Sequence, residues 1–171
     1  LRSYLCKGIR ELRKNRQKGV IATFRRDEYE PEIMDFVKIG KGSMGGKARG
    51  LAFMNSLLKK NPEFLSSYPD VSISIPKTCV ISEEAYLQFI EQNKLFYVCG
   101  GTDAIVAKRF LEASLPSWLL DDLRVFLSHI DRPLAVRSSS LLEDSISRPY
   151  AGLYKTYMIP NAGSDIEKRL H

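Results

Sequence analysis

The residues with the clearest chemical potential form a glycine-rich stretch that ends in a lysine. Residues 39–47 are Ile-Gly-Lys-Gly-Ser-Met-Gly-Gly-Lys, and apolar residues at helical spacing follow. Glycine lets the backbone approach an anion closely, and a helix N-terminus offers free N–H groups and partial positive charge. We therefore expect phosphate to bind here, with Lys47 reaching the outer phosphates of a nucleotide. A purely structural loop is the alternative that this stretch leaves open.

The stretch is not a P-loop. That motif requires a glycine where Lys41 stands and a hydroxyl residue where Ala48 stands. The metal contact that the P-loop hydroxyl makes is therefore not expected from position 48.

The second candidate for anion binding is Arg137, which ends an apolar strand pattern from Leu134 and precedes three serines. A buried, unpaired arginine would be costly, so an anionic partner is expected. The planar guanidinium suits two-pronged contact with phosphate or carboxylate. An internal ion pair with Glu143 or Asp144 is the alternative, and these two adjacent acids do not by themselves define a metal site.

The histidines and cysteines predict no catalytic or metal site. His129 falls near the C-terminus of a predicted helix, where positive charge is favourable, and His171 is the last residue. The three cysteines have no metal-ligand spacing, and an odd number of unpatterned thiols fits a reducing cytoplasm. No metal ligands are therefore assigned within this chain.

Helices and short strands must position these residues, and their alternation predicts an α/β or α+β fold. Residues 25–37 are predicted to be a connecting loop, and Ser82 to be the N-cap of a helix with acids in its first turn. The predicted helices cover residues 2–18, 48–60, 83–92, 103–112, 116–130 and 165 onward, and the predicted strands cover residues 20–24, 71–75, 78–81, 134–137 (a buried strand) and 152–159.

Composition and charge narrow the function classes. Of the 171 residues, 44% are hydrophobic and 27% charged, which is typical of a soluble single domain, and no apolar run is long enough to span a membrane. Residues 1–18 hold seven of the 26 basic and one of the 20 acidic residues, so the net charge of +6 belongs to one helix. We expect that helix to be a docking or solvated element, because nucleic-acid binding would depend on it alone.

Three segments, in order, resemble the N-terminal, ATP-grasp-like nucleotide-binding region of phosphoenolpyruvate synthase, pyruvate phosphate dikinase and glucan water dikinase. Each segment alone is a weak match, whereas their order and spacing together are quite specific. They are Gly-Gly-Lys-Ala at 45–48, Ile-Pro at 75–76 with Val-Ile-Ser at 80–82 and Ala-Tyr at 85–86, and the stretch from Ala135 through Glu143-Asp144 to Ala-Gly-Leu-Tyr at 151–154.

This resemblance implies ATP binding, and phosphoryl transfer from ATP to a carrier histidine on a separate domain and then to pyruvate or another acceptor. Lys47 and Arg137 match the family's phosphate-contacting lysine and arginine, so Arg137 is also the candidate catalytic residue. Gly152 and Tyr154 match positions in a loop near the nucleotide. The implied cofactors are ATP and Mg²⁺, with the magnesium ligands and the carrier histidine on other domains of the parent protein.

The resemblance also implies a domain organisation. It covers residues 39–171, which would be the N-terminal part of the ATP-binding domain, while residues 1–38 would form a basic helix and an interdomain linker. Because the chain begins at Leu1 and lacks the second half of the family's domain, we expect a fragment of an ATP-dependent phosphotransferase that is inactive alone.

Two departures from the family pattern leave other functions open. Lys77-Thr78 replaces the usual glycine after the proline, and Lys155 stands where an acidic residue is expected. Lys155 favours the alternative of a non-catalytic module that senses nucleotide or docks to a partner. Nucleic-acid binding through residues 1–18 is a third possibility.

Overall fold

The computed structural model describes residues 2–17, 21–98, 100–140 and 154–170. Within these ranges the chain forms short strands and helices, with one 3₁₀ turn at Leu95–Val98. In chain order the elements are α1 (Arg2–Gln17), β1 (Ala22–Thr23), β2 (Phe36–Ile39), α2 (Gly45–Lys60), α3 (Pro62–Ser66), β3 (Thr78–Ile81), α4 (Glu83–Gln92), α5 (Asp103–Glu112), α6 (Ser117–Ser128), β4 (Leu134–Val136), β5 (Tyr157–Ile159) and α7 (Ile166–Leu170).

The first three strands form a parallel sheet in the order β1, β2, β3. Val37 in the central strand pairs with Ala22 on one side and with Cys79 on the other. Parallel neighbours need a crossover connection, and α2 lies in the connection from β2 to β3. The prediction of a mixed helix-and-strand α/β fold is confirmed.

Strand β2 is the centre of the core because its two faces are both covered. Phe36 packs with Ala48 and Ala52 of α2, while Val37 and Ile39 belong to a second cluster that includes residues of α4 and α6. Successive strand residues point to opposite faces, so this alternation places helices on both sides of the sheet. The glycine-rich stretch begins at Ile39, the last residue of this buried strand.

A second, antiparallel sheet joins β4 to β5, with Val136 opposite Tyr157. Nearby, α7 is held against the end of α6 by Arg169, which donates hydrogen bonds to the carbonyl oxygen of Leu127 (2.7 Å) and to Asn161 Oδ1 (2.9 Å). Asn161 Nδ2 in turn donates to the carbonyl oxygen of Ile130 at 2.9 Å. The chain segment after β5 is therefore fixed to the body of the fold.

The structure corrects three strand predictions, and within the described residues the predicted strands 20–24 and 152–159 are strand only at Ala22–Thr23 and Tyr157–Ile159. Residues 36 and 37 belong to β2 and not to a loop, because a four-residue strand among polar residues shows too little periodicity to be recognised. Residues 71–75 form no strand, and Val71 and Ile73 remain exposed before Pro76. The strand predicted to be buried at 134–137 is β4, in which Ala135 and Val136 are exposed because it belongs to a sheet of only two strands.

The helix predictions are largely confirmed. Helices α1, α4, α5, α6 and α7 have bounds within two residues of those expected, whereas α2 begins earlier than expected, at Gly45. The short helix α3 was not predicted. Among the helices of the described ranges, none combines the length and the apolar content needed to cross a bilayer.

Candidate functional site

The first half of the glycine-rich stretch is fixed to the N-terminus of α4. The backbone N–H of Lys41 donates to Glu84 Oε2 at 2.6 Å, and the N–H of Glu83 donates to the carbonyl oxygen of Ser43 at 3.0 Å. Gly40 has φ +79°, and a side chain on it would meet the hydroxyl of Ser82 at 2.5 Å. Because two acids stand beside this half of the stretch, it is a poor place for a phosphate.

Ser82 is the backbone N-cap of α4, as predicted, but its side chain does not cap the helix. The hydroxyl is buried and has no hydrogen-bond partner in the described part of the chain. The hydroxyl lies close to Gly40, the first glycine of the stretch.

The second half of the stretch contacts Ser139, in the serine segment that follows β4. The Ser139 hydroxyl donates to the carbonyl oxygen of Met44 (2.7 Å) and accepts from the N–H of Ala48 (2.9 Å). The carbonyl oxygen of Ser139 accepts from the N–H of Gly46 at 3.0 Å. We call these three hydrogen bonds the Ser139 bridge. It joins the two sequence motifs that were predicted to bind phosphate.

The Ser139 bridge corrects one expectation about the helix N-terminus. The N–H groups at the start of α2 were expected to be free to bind an anion. Those of Gly46 and Ala48 instead donate to Ser139, and that of Gly45 donates to Ser43 Oγ at 3.2 Å. Serine oxygens satisfy donors that a helix start leaves unpaired. A phosphate at this place would therefore be bound mainly by side chains.

Arg137 opens onto a cleft at the end of the β4–β5 sheet. Because Val136 pairs with Tyr157, the residue after β4 and the residues before β5 emerge at the same edge. The open cleft there has a volume of about 510 Å³. We call it the cation cleft, and it is lined by Val136, Arg137, Ser138, Tyr154, Lys155 and Tyr157.

Two cations in the cation cleft have no partner within the described residues. Neither Arg137 nor Lys155 makes a hydrogen bond or an ion pair with a described residue. Arg124, by contrast, forms an ion pair with Glu167 at 2.6 Å. Both side chains are exposed, so the burial expected for Arg137 is wrong. Among the described residues that line the cleft, two are cations and none is an acid.

Lys47 lies in α2, which the Ser139 bridge joins to the segment that carries Arg137. It is partly buried, between Gly46 and Ala48, whose N–H groups both donate to Ser139. Arg137 precedes Ser139 by two residues, and two residues of extended chain span at most about 7 Å. The backbones that carry Lys47 and Arg137 are thus neighbours in the fold.

Of the other residues singled out by sequence, Tyr154 lines the cation cleft, whereas Gly152 lies outside the described residues. Glu143 and Asp144, the alternative partners for Arg137, also lie outside them. His129 is at the C-cap of α6, as predicted.

Sequence reasoning missed three features of this site. Ser139 was not separated from its neighbouring serines, because only the fold shows which of the three faces α2. Glu84 was noted as a first-turn acid but not as the acceptor for Lys41. Tyr157 was assigned to a strand, and the pairing with Val136 that brings it to the cleft is a long-range contact.

Among the described residues, no group of three or more His, Cys, Asp and Glu side chains is arranged to hold a metal ion. Burial raises the pKa of the Cys79 thiol to about 12, so this thiol is a neutral part of the core and not a candidate ligand.

Comparison with known proteins gives one match. The sequence model of the family described as "Pyruvate phosphate dikinase, AMP/ATP-binding domain" matches residues 41–169. This range begins within the glycine-rich stretch and includes β4, the serine segment and β5. No curated protein and no solved structure matches the chain.

Proposed function

Because the chain belongs to the pyruvate phosphate dikinase AMP/ATP-binding domain family, we propose that it binds the phosphates of ATP for transfer of a phosphoryl group. The acceptor would be a carrier histidine on another domain of the parent protein. The fold would be the N-terminal subdomain of an ATP-grasp-like domain over residues 39–171, with residues 1–38 as an interdomain element. The parent protein would be a cytoplasmic kinase.

The observation that supports this proposal most is the pair of cations in the cation cleft that have no partner among the described residues. Arg137 and Lys155 repel each other, and within the described residues no acid offsets that repulsion. A bound phosphate would relieve it, and the guanidinium of Arg137 presents the fork that phosphate oxygens fit. The aromatic ring of Tyr154 at the same cleft offers an apolar wall beside the charge. The residues present therefore fit a nucleotide phosphate group.

In the proposed site, Arg137 and Lys47 act as electrostatic clamps. Phosphoryl transfer requires positioning and neutralisation of phosphate charge more than proton transfer by the protein. Arg137 would hold the phosphate from the strand side, and Lys47 from the first turn of α2. Gly152, by the family resemblance, and Tyr154 would complete the nucleotide-facing loop. Neither histidine of the chain is assigned a role.

The proposal assigns magnesium and the carrier histidine to other parts of the protein. Mg²⁺ would supply charge neutralisation at the outer phosphates when bound. The chain's own cations would bind phosphate in its absence, but weakly. We expect the 171-residue chain to bind ATP with a dissociation constant on the order of millimolar and to catalyse no turnover alone.

A second candidate function is nucleotide sensing without catalysis. The observation that favours it is the presence of Lys155 in the cation cleft. The positive charge of this lysine would hold a bound phosphate in place instead of releasing it. In that case the site would bind ATP, and the fold would relay the binding of ATP to a docked partner.

Titration of the 171-residue chain with ATP, followed by NMR, tests the proposal. We expect Arg137→Ala to weaken ATP binding about 10-fold, since it removes hydrogen bonds to a charged group. Arg25→Ala is the matched control, because Arg25 pairs with Glu28 at 3.0 Å and does not line the cleft. Equal ATP affinity in the wild type and Arg137→Ala would contradict the proposal. Transfer of phosphoryl to a carrier histidine in the parent protein would exclude the sensing alternative.

A further inference from the structure

We infer that Ser139 is a positioning residue that holds Arg137 and Lys47 in a fixed relation through the Ser139 bridge. The inference rests on the proposed function for its consequence, which is nucleotide affinity, but the bridge itself is a property of the fold. Ser139 does not need to touch the nucleotide to act in this way.

The hydroxyl of Ser139 uses both of its hydrogen-bonding capacities on α2. It donates to the carbonyl oxygen of Met44 and accepts from the N–H of Ala48. These two backbone groups flank Gly45 and Lys47 at the start of α2. A serine hydroxyl has one donor, and its lone pairs accept. No other single hydroxyl in the described residues bridges these two groups. Loss of Oγ would leave both without this partner.

Gly45 makes the close approach of Ser139 possible. A side-chain carbon on Gly45 would lie 1.5 Å from the carbonyl oxygen of Ser139 and 2.7 Å from its hydroxyl. Gly45 also has φ +77°, a conformation that other residues rarely adopt. Glycine at position 45 therefore provides both the space and the backbone conformation that the bridge requires. This indicates that the bridge is specific to this fold and not an incidental surface contact.

The bridge fixes side chains that lie on either side of it. Arg137 and Ser139 are two residues apart, so a shift of the serine segment moves Arg137 with it. Lys47 lies between the two amides that donate to Ser139. A small displacement of a charged group costs much of its contribution to binding. Removal of the Ser139 hydroxyl should thus weaken phosphate binding through Arg137.

The competing interpretation is that Ser139 is a plug. On that view the phosphate displaces Ser139 and takes its place on the amides of Gly46 and Ala48, as anions do at open helix starts. The two interpretations predict opposite effects of the same substitution. A positioning residue raises affinity for ATP, and a plug lowers it.

The experiment compares Ser139→Ala, the rescue variant Ser139→Thr, and the control Ser128→Ala. Ser128 also donates its hydroxyl to a carbonyl oxygen, that of Val125 at 2.7 Å, but at the end of α6. We expect Ser139→Ala to weaken ATP binding about 3- to 10-fold, which corresponds to loss of one or two hydrogen bonds. Ser139→Thr should recover most of the loss, and Ser128→Ala should show none. Unchanged or tighter binding in Ser139→Ala would overturn the inference.

Two further measurements separate positioning from a general loss of stability. In an Arg137→Ala background, Ser139→Ala should weaken ATP binding less than it does in the wild type, because the part of its effect that acts through Arg137 is already lost; the same fold-loss in both backgrounds would overturn the inference. Without nucleotide, amide hydrogen exchange at Ala48 should be faster in Ser139→Ala than in the wild type. If the wild type binds no ATP, the proposed function fails, while this exchange measurement still decides whether the bridge exists.

Discussion

The carbonyl oxygen of Ser139 lies 1.5 Å from the point where a side-chain carbon on Gly45 would stand. The two residues belong to motifs that are far apart in the sequence, and their contact exists only because one of them has no side chain. Through this contact the start of α2 meets the end of β4. The nucleotide site proposed here depends on that meeting.

Gly45→Ala is expected to destabilise the fold and to abolish ATP binding. The added methyl group cannot share space with a backbone carbonyl, and φ +77° is strained for alanine, so the serine segment must move away. We expect a loss of about 2 kcal/mol or more in the free energy of unfolding, measured by urea denaturation.

Gly50→Ala is the matched control for this substitution. Gly50 also lies in α2, but a side chain there meets nothing within 4 Å. Alanine in a helix interior is more favourable than glycine by about 1 kcal/mol, so this variant should be more stable than the wild type. Equal effects of the two substitutions would show that the Gly45–Ser139 contact has no special part in stability.

The stability of the chain should fall at alkaline pH because of Cys79. Burial raises the pKa of this thiol from 9.0 to about 12, so the folded state keeps a proton that the unfolded state loses. The free energy of unfolding is therefore at its full value below pH 9 and falls between pH 9 and 12, by about 1.4 kcal/mol at pH 10. Urea denaturation at pH 8 and pH 10 measures this difference.

Cys79→Ala should reduce the loss of stability between pH 8 and pH 10, whereas Cys6→Ala, at an exposed thiol, should leave it unchanged. Tyr29, whose pKa burial also raises to about 12, would account for a remaining part of the loss. A pH dependence that is the same in the wild type and Cys79→Ala would contradict the burial of this thiol.

Asn161 is expected to be the main polar link between the end of α6 and the segment before α7. It is 5% exposed, and its Nδ2 donates to the carbonyl oxygens of Ile130 and Arg132, both at 2.9 Å. Asn161→Ala should cost about 1–3 kcal/mol of unfolding free energy, because these hydrogen bonds are lost. Asn161→Gly should cost up to about 1 kcal/mol less than Asn161→Ala, because φ is +52° at this position and glycine adopts this conformation without strain. The reverse order would contradict this interpretation.

Binding of the chain to DNA or RNA should be weak and should disappear at moderate salt. The excess of positive charge lies in residues 1–18, which include α1, while the rest of the chain has as many acidic as basic residues. Electrostatic binding of this kind falls steeply as salt rises. A fluorescence anisotropy titration at low and at physiological ionic strength checks this, and a sequence-specific complex at the higher salt would contradict it.

Local patterns were enough to predict the long helices and the position of the glycine-rich stretch. The spacing of Leu51, Met54 and Leu58 and the acids after Ser82 are local signals, and α2 and α4 form where they indicate. Strand β2 was missed, because its burial depends on helices that come later in the chain. A four-residue strand carries too little periodic signal to show this in advance.

The site was predictable only in its parts. Lys47 and Arg137 were identified by residue type and by resemblance, but the Ser139 bridge between their segments is a tertiary contact with no sequence signature. Lys155 was noted as a departure from a family pattern, and its place beside Arg137 follows from the pairing of β4 with β5. The expectation of free amides failed because a nearby serine satisfied them.

The most direct test of the central claim, that Lys47 and Arg137 bind the same phosphate group, is a double-mutant cycle on ATP affinity. Lys47→Ala, Arg137→Ala and the double variant are titrated with ATP, and with adenosine as the ligand that lacks phosphate. We predict that the double variant loses at least 2-fold less ATP affinity than the product of the two single losses, because each substitution removes part of one shared site. Adenosine binding should be unchanged in all three. Losses that multiply, or equal losses for adenosine, would contradict the shared phosphate site.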